Sequence, residues 1–403
     1  MIGWVMGALA LSATVYMMRR KVNIGIIMLF DAACLAIGAR LPIGEIGRAA
    51  LTGAADEGTL MLLAILILIM MVEHIMREKG MIRSLVDAVL DLTGNSRTAA
   101  LALPSVLGLL PSPGGARFSC PMVEGAMGTQ GTGEERAYVN YWYRHVWMDA
   151  FVLYPGLILA ASLTGMSVLR LFLWILPFMV IHGLSGYVVA LRHIPADPIE
   201  RKRSKKEAGK ALLKAGAPIL FIILLYMALL PFTGYALQIA GLATVAGVFI
   251  YARCSRAEMW SALKAGFSLR YIVMIVGVMV FREVLAASGI TADMVAWIGE
   301  KGFSPRWLYA ILPFIGGLGS GIMVSMVSLT FPVLTPLGLS ASIPLVVAAV
   351  FVWGNVGNMI TPLHICGVVS TEYFKADMAK VYGKVILSEI PVLIAAAAVL
   401  IFL

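Results

Sequence analysis

The sequence predicts an all-α polytopic membrane protein, built from two inverted repeats of five transmembrane helices, each with a re-entrant helical hairpin. Three observations predict it. The 403-residue chain is 60% hydrophobic and only 13% charged, with a mean hydropathy of +0.91, whereas soluble domains carry about 25% charged residues. Apolar runs long enough to cross about 30 Å of hydrocarbon recur along its whole length. Finally, the chain resembles itself when displaced by 209 positions. Leu103-Pro104-x-x-x-Gly108-Leu109 then falls on Leu312-Pro313-x-x-x-Gly317-Leu318 without a gap. In the same register Gly80 meets Gly289, Val86 meets Val295, Arg97 meets Arg306 and Ser119 meets Ser328.

Ten spans follow from the apolar runs, at 1–18, 22–39, 58–77, 137–162, 166–191, 211–231, 233–252, 268–287, 343–371 and 378–403. The first is read as a span and not a cleavable signal, because Arg19-Arg20-Lys21 follows its apolar run instead of preceding it. Two further apolar stretches, 97–127 and 305–333, are interrupted by Leu109-Leu-Pro-Ser-Pro-Gly-Gly-Ala116 and Gly316-Gly-Leu-Gly-Ser-Gly321. Each interruption leaves arms of roughly 11–14 residues, too short to span, so both read as hairpins that enter and leave on one side. Apolar residues at helical spacing in Arg77–Asn95 and again in Ile290–Phe303 predict amphipathic arms lying in the interface ahead of each hairpin.

Orientation follows from the basic residues. By this topology 22 Lys and Arg fall in loops on one side, against Arg40, Arg48, Lys301 and Arg306 on the other. The basic side is cytoplasmic by the positive-inside rule, which puts both termini outside and makes 192–210 a cytoplasmic linker. Five crossings separate the third span from the eighth, and an odd number turns the second copy upside down. The formal charge of +9 and the pI near 9.4 therefore mark topology and not a nucleic-acid partner. The four cysteines (Cys34, Cys120, Cys254, Cys366) form no C-x-x-C or Cys/His cluster, so no zinc or iron–sulfur site is expected and they read as packing residues. No Walker loop, nucleophile elbow, H-E-x-x-H or paired catalytic carboxylate occurs, which argues against an enzyme and implies no cofactor.

Irregular backbone at membrane depth survives only where protein or trapped water satisfies it, so the interruptions are the candidate binding sites. At the first tip, Ser112, Gly114 and Gly115 precede a helix whose free N–H groups and positive dipole end face the tip, with Arg117 and Ser119 in its first turn. The second tip repeats this with Ser320, Gly321 and Ser325, and two such N-termini favour an anion. Gly354-Asn355-Val-Gly-Asn358-Met-Ile-Thr361-Pro-Leu-His364 is expected to unwind the ninth span and expose carbonyls suited to a cation, with Na+ near Gly354, Asn355 and Asn358. Its mate, the fourth span, holds Arg144, His145 and Asp149 before Tyr154-Pro155-Gly156. Ionisable groups inside spans are costly and face cavities. Arg117 and Arg144 thus become candidate anion ligands, with an Arg117–Glu124 ion pair as the structural alternative for the first. Asp149, His364 and Asn358 become candidate coupling-ion or proton groups. Glu73-His74 opposite Arg282-Glu283 are candidate proton-relay groups or buried structural pairs, and the lone His182 and Glu389 read as structural groups.

The residues resemble a known group at this point. Two halves of five spans with hairpins, the Leu-Leu-Pro-Ser-Pro-Gly-Gly-Ala tip at 109–116, Asn140-Tyr-Trp-Tyr-Arg-His-Val-Trp147, Leu153-Tyr-Pro-Gly156 and Thr361-Pro-Leu-His-Ile-Cys366 are similar to the ion transporter superfamily of secondary transporters. They are nearest to a prokaryotic integral-membrane permease branch related to gluconate and dicarboxylate permeases. The resemblance implies an elevator carrier, usually dimeric. Its scaffold halves would be 1–96 and 211–304, its transport halves 97–191 and 305–403. Carried onto this chain, the site would comprise Ser112, Gly114, Gly115, Ser320, Gly321, Asn355, Asn358 and Thr361. Neither tip has the Ser-Asn-Thr signature of sodium–dicarboxylate members, so H+ coupling through His145, Asp149 or His364 stands beside Na+.

The expected function is secondary active transport of a small carboxylate-type anion across the plasma (cytoplasmic) membrane, coupled to H+ or Na+, by a homodimer in the lipid bilayer. The alternatives are an intramembrane or lipid-processing enzyme, or an anion channel.

Overall fold

The computed structural model describes residues 12–14, 16–18, 20, 22–109, 115–128, 130–147, 151–290, 300 and 306–402. Most of the expected first span and nearly all of the second amphipathic arm lie outside the described residues. Most of the rest is helical. In the first half, α1 (Ile24–Gly38), α2 (Ile43–Ala55) and α3 (Glu57–Glu78) precede the amphipathic α4 (Met81–Thr93). A hairpin follows, α5 (Ser96–Gly108) and α6 (Gly115–Met127), then a broken pair, α7 (Gly133–Val146) and α8 (Pro155–Thr164), and finally α9 (Val168–Val189). The second half runs α10 (Lys205–Leu229), α11 (Ala236–Tyr251), α12 (Arg256–Gly266) and α13 (Leu269–Ser288). It continues with a hairpin, α14 (Arg306–Ser320) and α15 (Met323–Leu334), a broken pair, α16 (Pro344–Ile360) and α17 (Ile365–Tyr373), and α18 (Met378–Phe402).

Six helical stretches among the described residues are long and apolar enough to cross a membrane, and the chain is an integral membrane protein. Outward-facing Ile43, Phe232, Ile250 and Phe402 are each more than three-quarters exposed. Water would penalise such surface, while lipid accepts it. Two of the expected spans are shorter than forecast: α1 and α11 have 15 and 16 residues and reach only about 23 Å. The third span is longer than forecast, because α2 leads into α3 with a single break at Asp56, whose carboxylate caps Gly58 N at 3.0 Å. The expected fourth span, 137–162, is split into α7 and α8. Tyr154 is extended and Pro155 takes the first helical position, where its missing N–H costs nothing.

The order of elements recurs between the halves, and so do their contacts. α1 and α2 pack on α13, while α11 and α12 pack on α3; α5 lies on α7 as α14 lies on α16; α9 and α18 pack against each other. Two pairs of the 209-residue register coincide in detail. Gly80 and Gly289, which flank the arm positions, both take the left-handed region with φ of 68° and 69°. Gly108 and Gly317 both sit where a Cβ would collide with the backbone of the adjacent broken helix, at Arg144 and at Gly354.

Two interruptions fall elsewhere than the sequence suggests. The second hairpin turns only at Gly321 (φ +63°), and Gly316, Gly317 and Gly319 are helical residues of α14. Likewise the ninth span stays helical through Gly354, Asn355, Gly357 and Asn358 and opens only at Thr361-Pro-Leu-His364. The physical reason is packing. A Cβ at Gly357 would stand 3.0 Å from the Phe314 carbonyl carbon, and one at Gly317 2.7 Å from the Asn358 amide. These glycines let α14 and α16 touch backbone to backbone, and that contact holds the helix that glycine alone would weaken.

Candidate functional site

The two broken helices cross where α7 ends and α16 opens, and the residues there are polar, buried and drawn from both halves. Arg144 and His145 close the last turn of α7, a helix started by a Thr132/Glu135 capping box. Both are 2% exposed. His364 enters from the other side, on the segment between α16 and α17, and its Nε2 lies 3.0 Å from Nε2 of His145. The rings meet edge to face with centroids 4.5 Å apart, and Tyr141 presents its ring to both at 5.1 Å.

Each histidine is held by its other nitrogen. His145 Nδ1 donates to the Tyr141 carbonyl at 2.7 Å, and His364 Nδ1 donates to the Asn358 carbonyl at 3.1 Å. The loosened end of α16 is tied in turn. Tyr141 Oη donates to the Met359 carbonyl at 2.8 Å and Tyr382 Oη to that of Thr361 at 2.9 Å. These carbonyls would otherwise be orphans of a helix end inside the membrane. Asn140, one helical turn before Arg144, donates to Ser370 Oγ at 2.8 Å and to Cys120 Sγ at 3.2 Å.

Around this point helix N-termini converge. The tip at Gly321 packs on the second break, where its Cβ would stand 3.1 Å from His364 N. At the first break, Gly156 in the opening turn of α8 would place a Cβ 3.4 Å from Val324 N in the opening turn of α15. Asn358 is 1% exposed, and neither atom of its carboxamide has a hydrogen-bond partner among the described residues; Oδ1 of Asn355 and of Asn140 also lack one. Unpartnered amides at this depth are costly unless something else binds them.

The structure thus brings together Arg144, His145, Asn358, Thr361 and His364 beside the tip at Gly321, while Asn355 sits one turn before Asn358 on α16 and Ser325 in the opening turn of α15. Other candidates lie apart. Arg117 is exposed on the first turn of α6, and Glu124 accepts from Tyr373 Oη at 2.7 Å rather than pairing with it. Ser320 Oγ is spent on the Gly316 carbonyl at 2.7 Å, and Ser119 is fully buried. Gly115 begins α6, whereas Ser112, Gly114 and Asp149 lie outside the described residues. The two lone polar groups pair with each other, His182 Nε2 lying 2.9 Å from Glu389 Oε2. Glu73 pairs with Arg77, and Arg282 with Glu283 at 2.7 Å, not across the repeat register.

Sequence reasoning missed the partnership of His145 with His364 and the nearness of Cys366. Their three ligand atoms lie within 4.8 Å of one another and could hold a metal ion. No local spacing could reveal it, because the residues are 219 positions apart. A cavity of about 560 Å³ opens between α3, α8, α9, α10 and α11, bordered by Met61, Ile158, Tyr226 and Leu237. None of the candidate residues lines it.

Residues 5–403 match the family described as "Protein of unknown function (DUF401)", and the chain belongs to that family. No curated protein matches it. Among solved structures the fold is similar to that of the YdaH transporter of Alcanivorax borkumensis, whose crystal structure was described as revealing an unusual topology. The TM-score is 0.58 at 15% sequence identity, covering 91% of this chain and 88% of the other. The fold is therefore one that a membrane transporter uses.

Proposed function

We propose that this family member is a secondary active transporter of a small carboxylate-type anion, driven by an H+ or Na+ gradient. The observation that carries the reading is the convergence of both broken helices and the second hairpin tip on one buried polar cluster. Arg144 supplies positive charge, the N-termini of α8, α15 and α17 supply oriented N–H groups, and the carboxamides of Asn355 and Asn358 supply further polar contacts. A static pore has no need of two broken helices pinned to two hairpins. A carrier needs such a unit to move as a body.

The recurrence of element order and contacts supports two repeats inverted across the membrane, as the parity of the intervening spans requires. In the same reading, α5–α9 and α14–α18 form the moving unit, and α1–α4 with α10–α13 form the scaffold. Both termini face outward in the plasma membrane, and the carrier works as a homodimer by elevator-type alternating access.

A thermal-shift screen of purified protein against carboxylates, sulfonates and amino acids, with Na+ and pH varied, tests substrate class and coupling ion together. Stabilisation by a carboxylate that depends on Na+ or on pH supports the reading. In proteoliposomes, saturable uptake driven by the gradient and lost in Arg144→Gln is expected, with Arg117→Gln retaining more activity. Ohmic current would make the protein a channel.

A further inference from the structure

The contact between His145 and His364 poses a problem of protons. A carbonyl oxygen can only accept, so the bonds to Tyr141 O (2.7 Å) and Asn358 O (3.1 Å) place each ring's proton on Nδ1. A neutral imidazole protonated there carries a bare lone pair on Nε2. Two such lone pairs then face each other at 3.0 Å, which is repulsive unless an electrophile lies between them.

We propose that His145, His364 and Cys366 form a binding site for a borderline-soft transition-metal cation of the Zn2+ type. Metal–nitrogen bonds of about 2.0–2.1 Å at a tetrahedral angle put two imidazole nitrogens about 3.3 Å apart, so the observed pair needs to open by only a few tenths of an ångström. The Nδ1–carbonyl bond on each ring is the outer-shell contact that fixes the tautomer and orientation of metal-bound histidines. Cys366 adds a sulfur, with all three ligand atoms within 4.8 Å of one another. Two imidazoles and a thiolate select Zn2+ or Cu+ over the oxygen-seeking Na+, Mg2+ and Ca2+. The thiolate also offsets the charge such an ion brings beside Arg144. Three protein ligands leave a fourth position open, the pattern of a site that exchanges ligands. Because the ligands come from the end of α7, from the segment joining α16 to α17 and from the first turn of α17, the ion would lock the two broken helices together.

This inference does not depend on the nature of the cargo, and its test needs none. Full-length protein, purified, stripped with a chelator and titrated with Co2+, is expected to bind one equivalent. It should show the intense visible bands of a tetrahedral site and a near-ultraviolet thiolate-to-cobalt band, both removed by Zn2+. Cys366→Ser should lose the thiolate band, while Cys254→Ser, on the turn between α11 and α12, leaves the spectrum unchanged. The double variant His145→Gln/His364→Gln should bind Co2+ more weakly by over roughly 100-fold, beyond what outer-shell losses cost. Wild-type protein that binds less than one equivalent overturns the proposal without any variant; that is the result expected if a shared proton fills the gap. A spectrum with no thiolate band, or one indifferent to loss of both histidines, overturns it as well. Co2+ binding in a protein that carries no anion would keep this site and discard the transport reading.

Discussion

Gly317→Ala tests the idea that the glycines of the second half exist for helix contact. The added Cβ would stand 2.7 Å from the Asn358 amide nitrogen and nearer still to the Gly354 carbonyl oxygen. Ordinary contact begins at 3.4 Å, so clearing the amide alone takes a parting of about 0.7 Å between α14 and α16, and clearing the nearer carbonyl oxygen takes more. Both obstacles are backbone atoms of the most deeply buried of the spanning stretches, and neither can swing aside. Overpacking costs about 1–3 kcal/mol, and a double backbone clash belongs at the upper end. Exchanging glycine for alanine in a helix returns about 1 kcal/mol. The net loss is about 2 kcal/mol, or about 30-fold in the folded-to-unfolded ratio. Gly319→Ala, two residues along the same helix, is the matched control. Its Cβ would meet only the Met18 terminal methyl at 3.7 Å, so it should stabilise the protein by about 1 kcal/mol. Unfolding midpoints of the two variants in mild detergent, measured side by side, should therefore move in opposite directions. Equal midpoints would refute the close-packing argument.

Three further outcomes follow from buried polar groups. Asn358→Leu removes a carboxamide with no partner among the described residues; stability should rise by about 1 kcal/mol, while ligand-induced thermal shifts vanish. A loss of stability would show the amide to be satisfied, and retained ligand-induced shifts would remove it from the site. His182→Ala strands the Glu389 carboxylate, which is 1% exposed, and breaking such a pair costs about 3–5 kcal/mol. The double variant His182→Leu/Glu389→Leu should recover most of that loss in the same unfolding assay. Tyr138→Phe gives up the 2.6 Å hydroxyl contact with Ser388 that joins α7 to α18, and should cost about 1 kcal/mol; no change would mean that the hydroxyl contributes nothing.

Much of the fold is legible in sequence because hydrophobic length and turn chemistry are local. The arms of the first hairpin and the α4 arm between Gly80 and Gly94 stand where composition puts them. The glycine-rich segments of the second half mislead for a definite reason. Glycine weakens an isolated helix, yet it also permits two helices to approach, and only the neighbour decides which effect wins. Gly316 to Gly319 and Gly354 to Gly357 are helical because α14 and α16 lie on each other.

The candidate site divides along the same line. The sequence by itself determined that the chain lives in a bilayer and that its cost in polar groups is concentrated at a few interruptions, since each spanning helix must answer to hydrocarbon on its own. It marked Arg144, His145, Asn358 and His364 singly. Only the tertiary structure decided that His145 and His364 touch, that Glu389 belongs to His182, and that Arg117 stands outside the cluster. Partnerships across 200 residues leave no periodicity to read. They are set by which helix ends the packing brings together, and by the need to satisfy each buried polar group once they arrive.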